Sequence, residues 1–71
     1  MENARAILPG QTIPGWRLII SDAGRFWARR QSPFPVEALW AGADPAVDAD
    51  TFAEVQVAVE RQEEIARQAA S

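Results

Sequence analysis

Acid-base and nucleophilic catalysis near neutral pH relies mostly on histidine, cysteine, lysine and tyrosine, and this chain contains none of the four. All seven basic residues are arginine. The hydroxyls of Thr12, Ser21, Ser32 and Thr51 therefore have no imidazole or amine to activate them, and no enzymatic role is expected. Carboxylates remain. Asp44, Asp48, Asp50 and Glu54 crowd one segment, and oxygen ligands are what Mg²⁺ and Ca²⁺ demand. A calcium loop, however, takes acids at alternate positions around a central glycine and ends on a glutamate, a pattern this segment lacks. We read Asp50 as negative charge near a helix N-terminus and the others as a solvated turn, so neither a metal nor another cofactor is expected. The four glycines are scattered among turns, which leaves no glycine-rich loop to cradle a phosphate.

Binding chemistry is better represented. Trp16 to Ser21 and Arg25 to Arg30 are two β-prone runs around Asp22-Ala23-Gly24, the pattern of a hairpin whose three-residue loop ends on a left-handed glycine. That register places Ile20 opposite Phe26, Ile19 opposite Trp27 and Leu18 opposite Ala28. Side chains alternate between faces with a period of two. Trp16, Leu18, Ile20, Phe26 and Ala28 then form an apolar face for the core. The other face carries Trp27 and Ile19 side by side, bordered by Arg17, Arg25 and Arg29. Tryptophan and arginine dominate protein-interface hot spots and also stack bases and neutralise phosphates in single-stranded nucleic acid. The plain alternative is that a following segment folds over this face and buries Trp27, leaving the arginines as a rim.

The elements that position this face are legible to different degrees. Leu8-Pro9-Gly10 and Ile13-Pro14-Gly15 forbid a helix and make residues 1–15 an extended arm with turns. Ser32-Pro33-Phe34-Pro35 ends the second strand. Val36, Leu39 and Trp40 fall at i, i+3 and i+4 before Gly42, which favours a short helix over a strand across Val36 to Ala41. A third short strand is expected at Ala46 to Ala49, with Val47 inward. Thr51-Phe52-Ala53-Glu54 has the spacing of a capping box, and Phe52, Val55, Ala58, Val59, Ile65, Ala66 and Ala69 trace an apolar stripe at helical spacing. Gln62 interrupts the stripe and Val57 lies nearly opposite it. A helix from Thr51 to about Ala69 is roughly 28 Å long, whereas six-residue strands span roughly 20 Å. The last turns therefore overhang and need cover, from the arm through Ile7, Leu8 or Ile13 or from a second copy.

The fold class is thus α+β: an antiparallel hairpin with a third short strand, packed against a C-terminal amphipathic helix. Its 71 residues, 48% hydrophobic and 24% charged, support one small core over residues 16–71 and no second domain. The net charge of −3 conceals an asymmetry: residues 16–30 are basic, while residues 41–71 carry seven acids against Arg61 and Arg67. Alanine is abundant and lysine absent, the composition expected from a high-G+C bacterial genome. No uninterrupted apolar run marks a signal peptide or a membrane span, and the lack of cysteine suits the cytoplasm, where we expect the protein to reside.

The succession of two strands, a short strand and the helix start Ala49-Asp50-Thr51-Phe52-Ala53-Glu54-Val55 resembles the small HicB-like antitoxin domains. The likeness covers the hairpin and the helix start, about half of the chain. It implies binding and neutralising a toxin protein. Such domains often carry a separate DNA-binding segment, and none is expected after the helix here. Gly15-Trp16 and Gly24-Arg25-Phe26-Trp27-Ala28-Arg29 are also similar to segments of small uncharacterised proteins of high-G+C bacteria. The function expected is a protein-interaction module that binds a protein partner or itself as a homodimer. Single-stranded nucleic-acid binding and an antitoxin-type role are the alternatives, and the negative net charge weighs against nucleic acid.

Overall fold

The structure, a computed structural model, describes residues 4, 5 and 11–70. Four antiparallel strands pair in chain order into one sheet: β1 (Ala4–Arg5), β2 (Trp16–Ser21), β3 (Phe26–Arg30) and β4 (Ala46–Ala49). A short helix, α1 (Val36–Trp40), lies in the connection from β3 to β4, and α2 (Phe52–Ala70) follows β4. The protein is therefore α+β, with the third short strand at the expected place and a short helix between. The N-terminal segment enters the sheet, since Ala4 and Arg5 pair with Ser21 and Ile20.

The β2–β3 register is the expected one, with Ile20 opposite Phe26, Ile19 opposite Trp27 and Leu18 opposite Ala28. The loop residues set it. The Gly24 amide donates to the Ser21 carbonyl and the Ser21 amide to the Arg25 carbonyl, both at 2.9 Å. Gly24 sits at φ 84°, where a side chain would be strained. Trp16, Ile20 and Ala28 are buried on one face, with Leu18 and Phe26 partly so. This is the face under α2: Val55 and Val59 join Trp16 and Ala28 in the core, and Phe52 meets Phe26 edge-on at 6.2 Å.

The start of α2 follows from its cap. The Thr51 hydroxyl accepts the Glu54 amide at 3.1 Å, satisfying one of the four orphan donors of the first turn. Thr51→Ala should lower stability by about 1 kcal/mol, measured by urea denaturation. An unchanged midpoint would mean that water serves the amide equally well.

From Phe52 to Gln62, α2 advances roughly 15 Å, close to the span of a five-residue strand, and at Glu63 it still meets the sheet, where Trp16 of β2 and Arg30 of β3 bond its carboxylate. Ile13, which opens the Ile13-Pro14-Gly15-Trp16 turn that the Trp16 amide closes onto the Ile13 carbonyl, is buried in the core. Ile7 and Leu8 lie outside the described residues. The sequence reading did not anticipate what the β3–β4 connection contributes. Phe34, Ala38 and Ala43, all from the β3–β4 connection, are buried in the same core, and Ile65 and Ala66 pack against it.

The orientation of α1 follows from how it ends. The Ala43 amide donates to the Ala38 carbonyl at 2.9 Å and the Gly42 amide to the Leu39 carbonyl at 3.0 Å, with Gly42 at φ 104°. This pair of bonds is a Schellman motif, in which the residues three before and two after the cap meet through their side chains. Here they are Ala38 and Ala43, both buried. Burying the alanine side turns the stripe of Val36, Leu39 and Trp40 outward.

Gln62, the polar interruption of the α2 stripe, is buried and fully used. Its Oε1 accepts the Asp44 amide at 2.9 Å and its Nε2 donates to the Ala58 carbonyl at 3.3 Å, so it ties the segment after α1 to the long helix. Val57, off the stripe, is exposed.

Candidate functional site

The sheet has one face under α2 and one without a helix on it. Alternation along β2 and β3 sends Arg17, Ile19, Trp27 and Arg29 to the second face, and pairing with β4 sets Asp48 beside Trp27 and Ala46 beside Arg29. Ile19 and Trp27 are 43% and 44% exposed, so the short helix does not bury them. It does approach them. Leu39 and Pro33 from the β3–β4 connection, with Pro45 and Ala46 at the start of β4, line a groove of about 600 Å³ whose other wall is Ile19, Trp27 and Arg29. That volume lies within the range of small ligand and anchor-residue pockets.

The three sequence-identified arginines of this face differ in their engagement. Arg25 is held by Asp48 and Asp50: its Nε lies 3.2 Å from an Asp48 oxygen, and further contacts run from Nη2 to Asp48 and Nη1 to Asp50. The hydrogen bond to Asp48 is the largest cause raising the Arg25 pKa above its ordinary value. Arg17 and Arg29 are exposed and stand directly opposite each other across β2 and β3. Like charges placed so are mutually unfavourable, and no carboxylate among the described residues pairs with either. The groove therefore has an apolar lining and a positive margin.

No family model, curated protein or solved structure matches this chain. The surface stands on its own geometry.

Three of the four carboxylates singled out in the sequence have structural employment. Asp48 and Asp50 hold Arg25, and Asp44 accepts the Ala46 amide at 3.1 Å. Among the described residues no group of three or more acids is placed to hold a metal ion, and no helix is long and apolar enough to cross a membrane. The groove residues that sequence reasoning missed are Ala28, Pro33, Phe34, Leu39, Pro45 and Ala46. The signal that could have found Leu39 is the spacing Ala38, Gly42, Ala43. A glycine stop flanked by two small apolar residues five apart points to an alanine-lined buried side, and so to an outward Leu39.

Proposed function

We propose that this protein is a non-enzymatic interaction module that receives an apolar segment of a protein partner on the outer face of its sheet. The observation that carries this is the groove itself: Ile19, Trp27 and Leu39 come from three different elements, remain roughly half exposed and converge on one concavity beside Arg29. Contiguous exposed apolar surface of this kind marks interaction sites, and a tryptophan in a partly formed pocket with arginine beside it is the composition of a hot spot. Arg17 and Arg29 at the margin, with no ion pair among the described residues, favour a partner whose docking segment carries acids. An antitoxin-type role, with a toxin as the partner, is one specific form of this proposal and is supported by the resemblance of the hairpin and the helix start. The cysteine-free composition fits a cytoplasmic setting.

The test is capture of binding proteins on immobilised wild type and Trp27→Ala. Because Trp27 is nearly half exposed, its truncation should lower stability by no more than about 1 kcal/mol, while captured partner is lost. A severe loss of stability would make Trp27 a core residue, and undiminished capture would remove the groove from the interaction.

A second reading has its own observation: Arg17 and Arg29, beside Trp27 and with no ion pair among the described residues, would suit a phosphate backbone with a base stacked on the indole. Against it stands the net charge of −3. Titrating a single-stranded oligonucleotide while following tryptophan fluorescence should give no binding at physiological salt. Binding that weakens steeply with salt, and is lost in Arg17→Ala with Arg29→Ala, would establish it instead.

A further inference from the structure

The most exposed aromatic residue of the described chain has no role in holding the fold. Trp40 is 81% exposed on α1, next to Val36 at 48% on the same side of the helix and directly after Leu39, which lines the groove. A knob and a pocket therefore adjoin on one surface. The geometry points to a second copy of this chain as the occupant of the groove, with Trp40 of each copy seated against Ile19, Trp27 and Leu39 of the other. This rests on the groove being a docking site, as proposed above, and names its partner.

Three features select a second copy. The first is symmetry. Because Trp40 and the groove are neighbours on one chain, a twofold axis running beside α1 lets both insertions occur at once, which closes the assembly at two copies. A donor and acceptor on opposite sides of the molecule would instead propagate a filament.

The second is charge. Glu37 is exposed and lies three residues before Trp40, hence beside it on the helix surface. An incoming α1 carries that acid toward a margin where Arg17 and Arg29 face each other with no carboxylate among the described residues paired to either. The indole also arrives next to the Arg29 guanidinium, a favourable cation–π arrangement. Direct sheet-to-sheet stacking of two copies would set these arginines against their counterparts. Placing α1 between the sheets avoids that.

The third is size. A buried tryptophan removes roughly 150–250 Å² from water, and a groove of about 600 Å³ has room for the indole with Val36 following it. Without cysteine no disulfide supplements this small core, and association is a common remedy in cores of this size.

The experiment is molar mass by sedimentation equilibrium on the full chain, from micromolar to near-millimolar concentration. Wild type should rise from 7.8 kDa toward twice that value. Trp40→Ala, at a residue too exposed to matter for folding, should weaken association by more than about tenfold, as loss of a hot-spot aromatic does. Trp27→Ala should do the same from the groove side. Mixing the two variants should restore part of the association, because the intact Trp40 of one then meets the intact groove of the other. A wild type that stays monomeric throughout overturns the second copy as occupant. The groove as a docking site is then judged separately, by whether Trp27→Ala loses partner capture. A dimer that Trp40→Ala leaves unchanged places the contact elsewhere and equally overturns the inference.

Discussion

Phe34→Ala should leave the protein partly unfolded at room temperature. Phe34 is 4% exposed and joins three parts of the molecule. Its ring meets Trp16 of β2 edge-on at 6.1 Å, and the Arg30 guanidinium of β3 lies 4.1 Å above it. The same ring belongs to the core formed with Ala38, Val55 and Val59. Truncating a buried phenylalanine costs about 3–5 kcal/mol, through lost transfer free energy and the cavity left behind. A chain of this length holds only about 4–10 kcal/mol in total, at roughly 0.05–0.15 kcal/mol per residue. The loss thus takes a large share of the stability, and urea denaturation should show a shortened or missing native baseline. Phe34→Leu, which fills much of the volume, should retain a cooperative transition. If Phe34→Ala instead costs under about 1 kcal/mol, the β3–β4 connection is not part of the cooperative core. The outer groove, which Phe34 backs, would then lack a fixed wall.

That connection is also where the sequence is least legible. The hairpin could be read residue by residue, because Gly24 leaves few ways to turn and the period of two then sorts Trp16, Leu18 and Ile20 from Arg17 and Ile19. The start of α2 could be read because Thr51 and Glu54 carry a local cap. The short helix was legible in existence but not in orientation. Its apolar stripe of Val36, Leu39 and Trp40 is what signals a helix, yet the side that packs is the alanine side, chosen by the Schellman bonds at Gly42 and by the space beneath α2. Such a choice depends on which small residues meet at a distance, and helical period carries no information about that. Gln62 illustrates the same limit. A polar residue in an apolar stripe looks like an error until the Asp44 amide, 18 positions away, arrives to use it. For the candidate surface, Trp27, Ile19 and the arginines could be placed on one face from the register alone. The groove could not, because much of its lining belongs to the β3–β4 connection, where Pro33, Phe34 and Pro45 follow no period and the stripe that includes Leu39 does not say which way it faces.

The hydrogen-bonded group around Glu63 makes a second large effect, one that depends on pH. The Trp16 indole donates to Glu63 Oε2 at 2.7 Å, and Arg30 Nε reaches the same oxygen at 2.8 Å, with Nη2 3.3 Å from Oε1. Trp16 is 4% exposed, so Glu63→Ala takes the acceptor from its N–H in a partly buried site and removes the ion pair with Arg30. Hydrogen bonds to charged groups are worth about 1.5–3 kcal/mol, and an unsatisfied buried donor adds its own penalty. A loss of about 2–3 kcal/mol at neutral pH follows. The pH dependence separates charge from packing. The hydrogen bond from Arg30 is the largest cause holding the Glu63 pKa below its ordinary 4.5, with the Trp16 bond acting in the same direction and burial opposing both. Because the folded-state value is the lower one, the ionised carboxylate contributes its full stabilisation above the ordinary value and loses it as the pH falls through the folded value. Glu64, also lowered, through Arg67, is common to both proteins and cancels from the comparison. Wild type should therefore exceed Glu63→Gln in stability at neutral pH, and the difference should shrink steadily once the pH drops below 4.5. A difference that stays flat through that window would mean the charge on Glu63 contributes nothing beyond what a neutral amide supplies. The attachment of α2 to Trp16 would then rest on shape and a single neutral hydrogen bond.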